Sequence, residues 1–90
     1  MNELSDLEFR IIDELYFVNS FDDLVHSLQE DRTVIEIVLI QLLHKGLIIQ
    51  LIFEIDSHNY KVLDEPDLHA IRESFFVASK SGLLLHNSRS

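Results

Sequence analysis

Cysteine and tryptophan are absent from this chain of 90 residues, which contains only two glycines and one proline. Without cysteine the chain can form neither a disulfide nor a thiolate metal site, and its composition fits a reducing compartment. The scarcity of glycine and proline agrees with the lack of any linker, repeat or glycine-rich phosphate loop. We therefore predict one domain over residues 1–90.

Basic residues are also scarce. Seven Lys and Arg oppose 16 Asp and Glu, which gives a formal net charge of −9. Affinity for nucleic acids comes largely from basic side chains that release counterions from phosphate, so this balance disfavours nucleic acids and anionic membranes. The basic residues are scattered along the chain: Arg10, Arg32, Lys45, Lys61, Arg72, Lys80 and Arg89.

Long apolar runs are missing. The longest run, IIQLIF at residues 48–53, has the length of a strand, whereas a helix needs about 20 apolar residues to span a bilayer. The first ten residues, MNELSDLEFR, are acidic and lack the apolar core of a signal peptide. These features predict a cytoplasmic protein that does not enter a membrane.

Hydrophobic residues, by contrast, make up 47% of the chain, and the mean hydropathy is +0.12. A domain of this size buries only about 60–65% of the surface of its extended chain. We therefore expect apolar surface to remain exposed on the monomer. A homodimer or another protein would cover it.

The first third of the chain predicts two helices. Ser5 and Glu8 have the spacing of a capping box, and the apolar stripe that follows predicts a helix ending near Phe17. Ser20 is a second capping residue, and residues 21–28 place their apolar side chains on one side of a second helix. The short link between the helices has room for a minimal extended segment.

A third helix is predicted from about residue 32 to residue 45. Its start has two candidate caps, Asp31 and a box formed by Thr33 and Glu36, and the sequence leaves both open. Gly46 suits the left-handed position that ends a helix.

The segment from residue 47 to residue 56 alternates in the manner of a strand. Residues 60–63 are expected to return as a short strand, and residues 74–78 form a further predicted strand. One side of the first strand would carry Leu47, Ile49, Leu51, Phe53 and Ile55, and the other Ile48, Gln50, Ile52, Glu54 and Asp56.

Two short helices are predicted in the remaining sequence. Pro66 suits the first position of a helix that would run through Arg72. Ser79 or Ser81 would cap a last helix through Leu85. Residues 87–90 are expected to fray.

Four segments together resemble the winged-helix family, best known from bacterial transcription regulators. They are LSDLEFRIIDEL, FDDLVHSL, TVIEIVLIQLLHKGLI and FFVASKSGLLLHN. The resemblance implies an α+β winged helix-turn-helix fold, with a three-helix core, a small antiparallel β-wing and a short C-terminal helix. Residues 57–73 are longer than a simple wing, which separates this chain from the family pattern.

In the winged-helix family the outer face of the third helix enters the major groove of DNA. Base contacts need Arg, Lys, Asn or Gln, and this chain offers little of that kind there. An apolar ridge on a helix favours protein contact, unless the C-terminal helix or the insertion covers the ridge. We therefore predict a module for self-association or protein docking through the apolar surface of the third helix, the wing strand and the C-terminal helix. The core side would hold Ile35, Val38, Leu39 and Leu42, and the partner-binding side Val34, Glu36, Ile37, Ile40 and Gln41.

The alternative function is that of a small DNA-binding transcriptional regulator, which the resemblance implies. A dimer would then bring several basic residues to one face for contact with the phosphate backbone. The candidate backbone contacts are Arg32, Thr33, Lys45, Lys61 and Lys80.

No catalytic, cofactor or metal site is predicted, and we expect no enzymatic activity. The five histidines, at positions 26, 44, 58, 69 and 86, include no pair at the helical spacing of metal ligands. An acidic group around the second helix either caps helices or offers a docking patch for a basic partner, and we favour capping. This group comprises Asp22, Asp23, Glu30 and Asp31.

Overall fold

The computed structural model describes residues 3–88 and has an α+β fold with an antiparallel sheet, as predicted. A short 3-10 helix spans Ile71–Glu73. The helices are α1 (Asp6–Glu14), α2 (Phe21–Leu28), α3 (Arg32–His44) and α4 (Lys80–Ser88), and the strands are β1 (Asn19–Ser20), β2 (Ile48–Glu54), β3 (Asn59–Val62) and β4 (Phe75–Ala78).

Side-chain caps fix the starts of the first three helices. The Ser5 hydroxyl accepts a hydrogen bond from the Glu8 amide at 3.1 Å and the Glu8 carboxylate accepts one from the Ser5 amide at 2.9 Å, which confirms the capping box. Asp31 caps α3 by accepting from the Thr33 amide at 2.8 Å, so the rival Thr33–Glu36 box is not used. Gly46 ends α3 with φ +71°, as predicted.

The end of α1 differs from the prediction. The helix stops at Glu14 and not near Phe17. The side-chain amide of Asn19 donates hydrogen bonds to the backbone carbonyl oxygens of Glu14, at 2.7 Å, and Phe17, at 3.4 Å. These bonds satisfy carbonyls at the helix end and turn the chain into β1.

The sheet has the strand order β1-β4-β2-β3, and all neighbouring strands are antiparallel. Strand β4 therefore pairs with both β1 and β2, although β3 lies between β2 and β4 in the sequence. The additional strand β3 accounts for part of the long segment that separates this chain from a simple wing. The order of helices and strands is compatible with a winged-helix-like fold.

The helix predicted from Pro66 through Arg72 is wrong, since only Ile71–Glu73 is helical in this region. The side chain of Gln50 accepts from the Asp67 amide at 2.9 Å and donates to the Asp67 carbonyl at 3.1 Å. It also donates to the Ser74 hydroxyl at 2.8 Å. Gln50 thus holds Asp67 in an irregular connection, in which the backbone groups of Asp67 bind a side chain of the sheet.

Helix α4 begins as predicted at a Ser79 cap, since the Ser79 hydroxyl accepts from the Gly82 amide at 3.1 Å. It continues past the predicted end at Leu85 to Ser88. His86 explains the extension, because its ring stacks on Phe9 of α1 at a centroid distance of 4.1 Å. Residues 87 and 88, expected to fray, are therefore helical, and residues 89 and 90 lie outside the described residues.

The hydrophobic core lies between one face of the sheet and helices α1, α2 and α3. The fully buried aliphatic and aromatic side chains of the core include Ile11, Ile12, Leu15, Phe21, Leu24, Ile35, Leu39, Leu42 and Phe76.

Within residues 3–88, no helix is both long enough and apolar enough to cross a membrane.

Candidate protein interaction surface

The outer face of α3 keeps only part of the predicted apolar ridge. Val34 and Ile37 are exposed, at 39% and 51% of their surface, whereas Ile40 is partly buried against the core. Ile40 is thus turned inward, and an exposed ridge of three residues becomes a patch of two. On the core side Ile35, Leu39 and Leu42 are buried as predicted, Leu43 is buried as well, and Val38 is only partly buried.

Two polar residues of this face, Thr33 and Glu36, contact the inserted segment. Glu36 is bound by Arg72 of the short 3-10 helix at 2.8 Å, and the Arg72 guanidinium also lies 3.4 Å from the Thr33 hydroxyl. Gln41 is exposed. The insertion therefore lies along α3 without covering Val34 or Ile37, and α4 packs against α1 instead.

Of the six basic residues within residues 3–88, four form ion pairs with carboxylates of the same chain. Lys61 and Lys80 are exposed, and no ion pair to either occurs within residues 3–88. Of the backbone-contact candidates, Arg32 and Lys45 therefore each carry a neighbouring negative charge. The pairs are Arg10–Glu30 at 3.3 Å, Arg32–Asp22 at 2.8 Å, Lys45–Glu8 at 2.7 Å and Arg72–Glu36 at 2.8 Å.

The acidic group around α2 has structural partners. Asp31 caps α3, Asp22 pairs with Arg32, and Glu30 pairs with Arg10. The amide of Asp23 donates to the Ser20 hydroxyl at 3.0 Å. Three of the four carboxylates are thus engaged in caps or ion pairs inside the chain.

The contacts of Glu8 change the acidity of its carboxyl group. Burial would raise the pKa of Glu8, but the hydrogen bonds from Lys45 and Ser5 and the positive charge of Lys45 outweigh it and hold the pKa below its usual value. The ionised Glu8 thus joins the N-terminus of α1 to the C-terminal end of α3.

A larger apolar surface lies on the sheet. Alternation along the strands and the pairing register place seven side chains on the face opposite the core. None of them is charged, and in the described part of the chain none belongs to the core cluster or packs against it. We call this the outer sheet face, and it consists of Ile49, Leu51, Phe53, Tyr60, Val62, Phe75 and Val77.

The outer sheet face is an ordered set of rings and aliphatic groups. Tyr60 contacts Phe53 and Phe75 edge-on, with ring centroids 5.4 and 5.1 Å apart. Leu51 lies between Val62 and Phe75 in the register and is buried. Around it Phe53, Tyr60 and Val62 are 43%, 47% and 53% exposed.

The sequence indicated part of this surface. The alternation of β2 correctly grouped Leu51 with Phe53, but it did not show which side of the strand faces the core. Ile48 and Gln50 occupy the buried side, although a glutamine is an unusual core residue. The contributions of β3 and β4 depend on pairing between distant segments, for which the sequence carried no local signal.

No group of three or more His, Asp or Glu side chains in residues 3–88 is placed to hold a metal ion. His86 is instead bound within the fold, with its Nδ1 atom 2.9 Å from the Tyr16 hydroxyl and its Nε2 atom 3.2 Å from a carboxylate oxygen of Asp13. No family model, curated protein or solved structure matches the chain.

Proposed function

We propose that this chain is a non-enzymatic interaction module with a winged-helix-like fold, and that it docks to protein through the outer sheet face. The observation that carries the proposal is the uncharged apolar face built from β2, β3 and β4. The absence of cysteine from the chain fits a function in the cytoplasm.

The composition of the outer sheet face supports protein docking. The cores of protein interfaces are enriched in aromatic residues and depleted in charge. Here Phe53, Tyr60 and Phe75 lie together around Leu51, and charged side chains of the neighbouring positions, such as Glu54 and Lys61, belong to the opposite side of the strands. A partner can therefore cover this face without burying an unpaired charge.

The exposed part of α3 supports a smaller, accessory contact. Val34 and Ile37 offer two aliphatic side chains, and the intervening Glu36 is held by Arg72. Two side chains cover much less area than the seven of the outer sheet face, so the main contact belongs to the sheet.

DNA binding is the weaker alternative. Only the winged-helix resemblance favours it, and fold alone does not establish function. The net charge of −9 and the carboxylates beside Arg32 and Lys45 both oppose contact with phosphate.

A photo-crosslinking experiment tests the proposal. The photoreactive residue benzoylphenylalanine replaces Phe53 in one variant and, as a control, exposed Leu84 of α4 in another. After irradiation of cells that produce the chain, we expect protein adducts at position 53 that resist nuclease, and few at position 84. Adducts that nuclease removes would support the DNA alternative, and the absence of adducts at position 53 would contradict docking through this face.

A further inference from the structure

We infer that the occupant of the outer sheet face is a second copy of this chain, bound face to face about a twofold axis. This inference rests on the proposed function and names its partner. The charge and the shape of the face support it, and its area sets the expected strength of the dimer.

The charge distribution permits self-association through this face and disfavours it elsewhere. Two chains of net charge −9 repel each other on average. The outer sheet face contains no charged residue, so two copies that meet there place no like charges in direct contact. A partner selected by opposite charge would instead be attracted to the acidic surface of the helices, such as the exposed Asp22 and Asp23 of α2.

The shape of the face suits a copy of itself. Two sheets pack face to face about 10 Å apart, and the twist of each sets an angle of about 30° between their strands. A twofold axis near Leu51 would bring Phe53, Tyr60 and Val62 of one copy against the same side chains of the other. Each copy would then have helices on one side of its sheet and the second sheet on the other, which is a stable layer arrangement.

The area predicts a weak dimer. Three strands and about five residues along each give roughly 300 Å² of face per copy. A standard interface covers about 800 Å² per partner. Exposed Val18 beside β1 and Ile55 beyond β2 extend the apolar surface at its edges. We therefore expect dissociation at micromolar concentration and not a permanent dimer.

Sedimentation equilibrium of the full chain tests the inference over about 1 to 500 μM, a range that brackets micromolar affinity. The variants are Val62→Lys on the outer sheet face and Ile37→Lys on α3, whose native side chains are 53% and 51% exposed. Both substitutions reduce the negative charge equally, so general repulsion does not separate them. We expect wild type and Ile37→Lys to dimerise alike, and Val62→Lys to associate at least about tenfold more weakly.

Two results would overturn the inference. One is a wild-type chain that remains monomeric over the whole range, and the other is a dimer lost in Ile37→Lys but kept in Val62→Lys. Circular dichroism verifies that each variant is folded, and Phe53→Lys provides a second variant of the same face. If the chain is monomeric while crosslinks at position 53 reach proteins of other mass, the second copy is refuted and the proposed function stands.

Discussion

Tyr60 of β3 packs edge-on against Phe75 of β4, with ring centroids 5.1 Å apart, although these two strands do not pair with each other. Strand β2 lies between them, with Phe75 opposite Leu51 and Tyr60 opposite Phe53 in the register. Leu51 is buried and does not belong to the core cluster of the described residues. The outer sheet face is therefore organised before any partner binds, which reduces the entropy lost on association.

Gln50→Leu should destabilise the fold. The substitution removes the buried hydrogen bond to the Ser74 hydroxyl and the part-buried bonds to both backbone groups of Asp67. We expect a loss of about 2–4 kcal/mol in the free energy of unfolding by urea. Gln41→Leu, at an exposed position of α3, is the control and should change it by less than about 0.5 kcal/mol.

Gly82→Ala should loosen α4. A Cβ atom at position 82 would clash with the carbonyl oxygen of Leu47, so the helix must move away from Leu47. Alanine normally stabilises a helix by about 1 kcal/mol relative to glycine, so destabilisation here would identify the close approach as its cause. Ser81→Ala is the exposed control. Hydrogen exchange should quicken across α4 only in Gly82→Ala, and equal exchange in both variants would contradict this packing.

Glu8→Gln should alter the dependence of stability on pH. Because the pKa of folded Glu8 lies below its unfolded-state value, the ionised form stabilises the fold above the unfolded-state pKa, and this stabilisation disappears as the pH falls through the folded-state pKa. Lys45 is half-exposed, so solvent screens the pair and the loss at pH 7 should be about 1 kcal/mol. Urea unfolding at several pH values should show wild type and variant converging in acid, and a constant difference would contradict the assignment.

Duplex DNA of random sequence should not bind detectably at low salt. The negative net charge of the chain repels phosphate. In addition, the carboxylates beside Arg32 and Lys45 compete with phosphate for these two basic side chains. Fluorescence anisotropy of a labelled duplex at about 50 mM salt measures this under conditions that favour electrostatic binding. A micromolar affinity for the duplex that weakens as salt is added would support the DNA-binding alternative and contradict this prediction.

Most of the correct predictions from the sequence rest on interactions between residues that are close together in the chain. The Ser5–Glu8 box, the Ser20 cap and Gly46 act over one turn of chain, so their partners are visible in the sequence. The alternation of β2 likewise identified two sides of the strand. These signals defined α2 and the turn from α3 into β2 at their observed positions.

Contacts between distant residues account for the features that the sequence did not predict. Gln50 binds Asp67 across 17 positions, and an irregular connection takes the place of the helix expected at Pro66. His86 stacks on Phe9 from the other end of the chain and prolongs α4. Within the predicted surface of α3 and the wing, the sheet became the main candidate only with the structure, because the buried side of β2 depends on tertiary packing and not on the strand pattern.

Intermolecular nuclear Overhauser effects provide the most direct measurement of the contact surface. In an equal mixture of methyl-labelled and unlabelled chains at high concentration, an isotope filter retains only contacts between copies. We expect signals from the methyl groups of Val62 and Val77 to the aromatic protons of Phe53 and Tyr60 of the other copy. Signals from Val34 and Ile37 instead, or no signals at concentrations where the chain sediments as a dimer, would contradict contact through the outer sheet face.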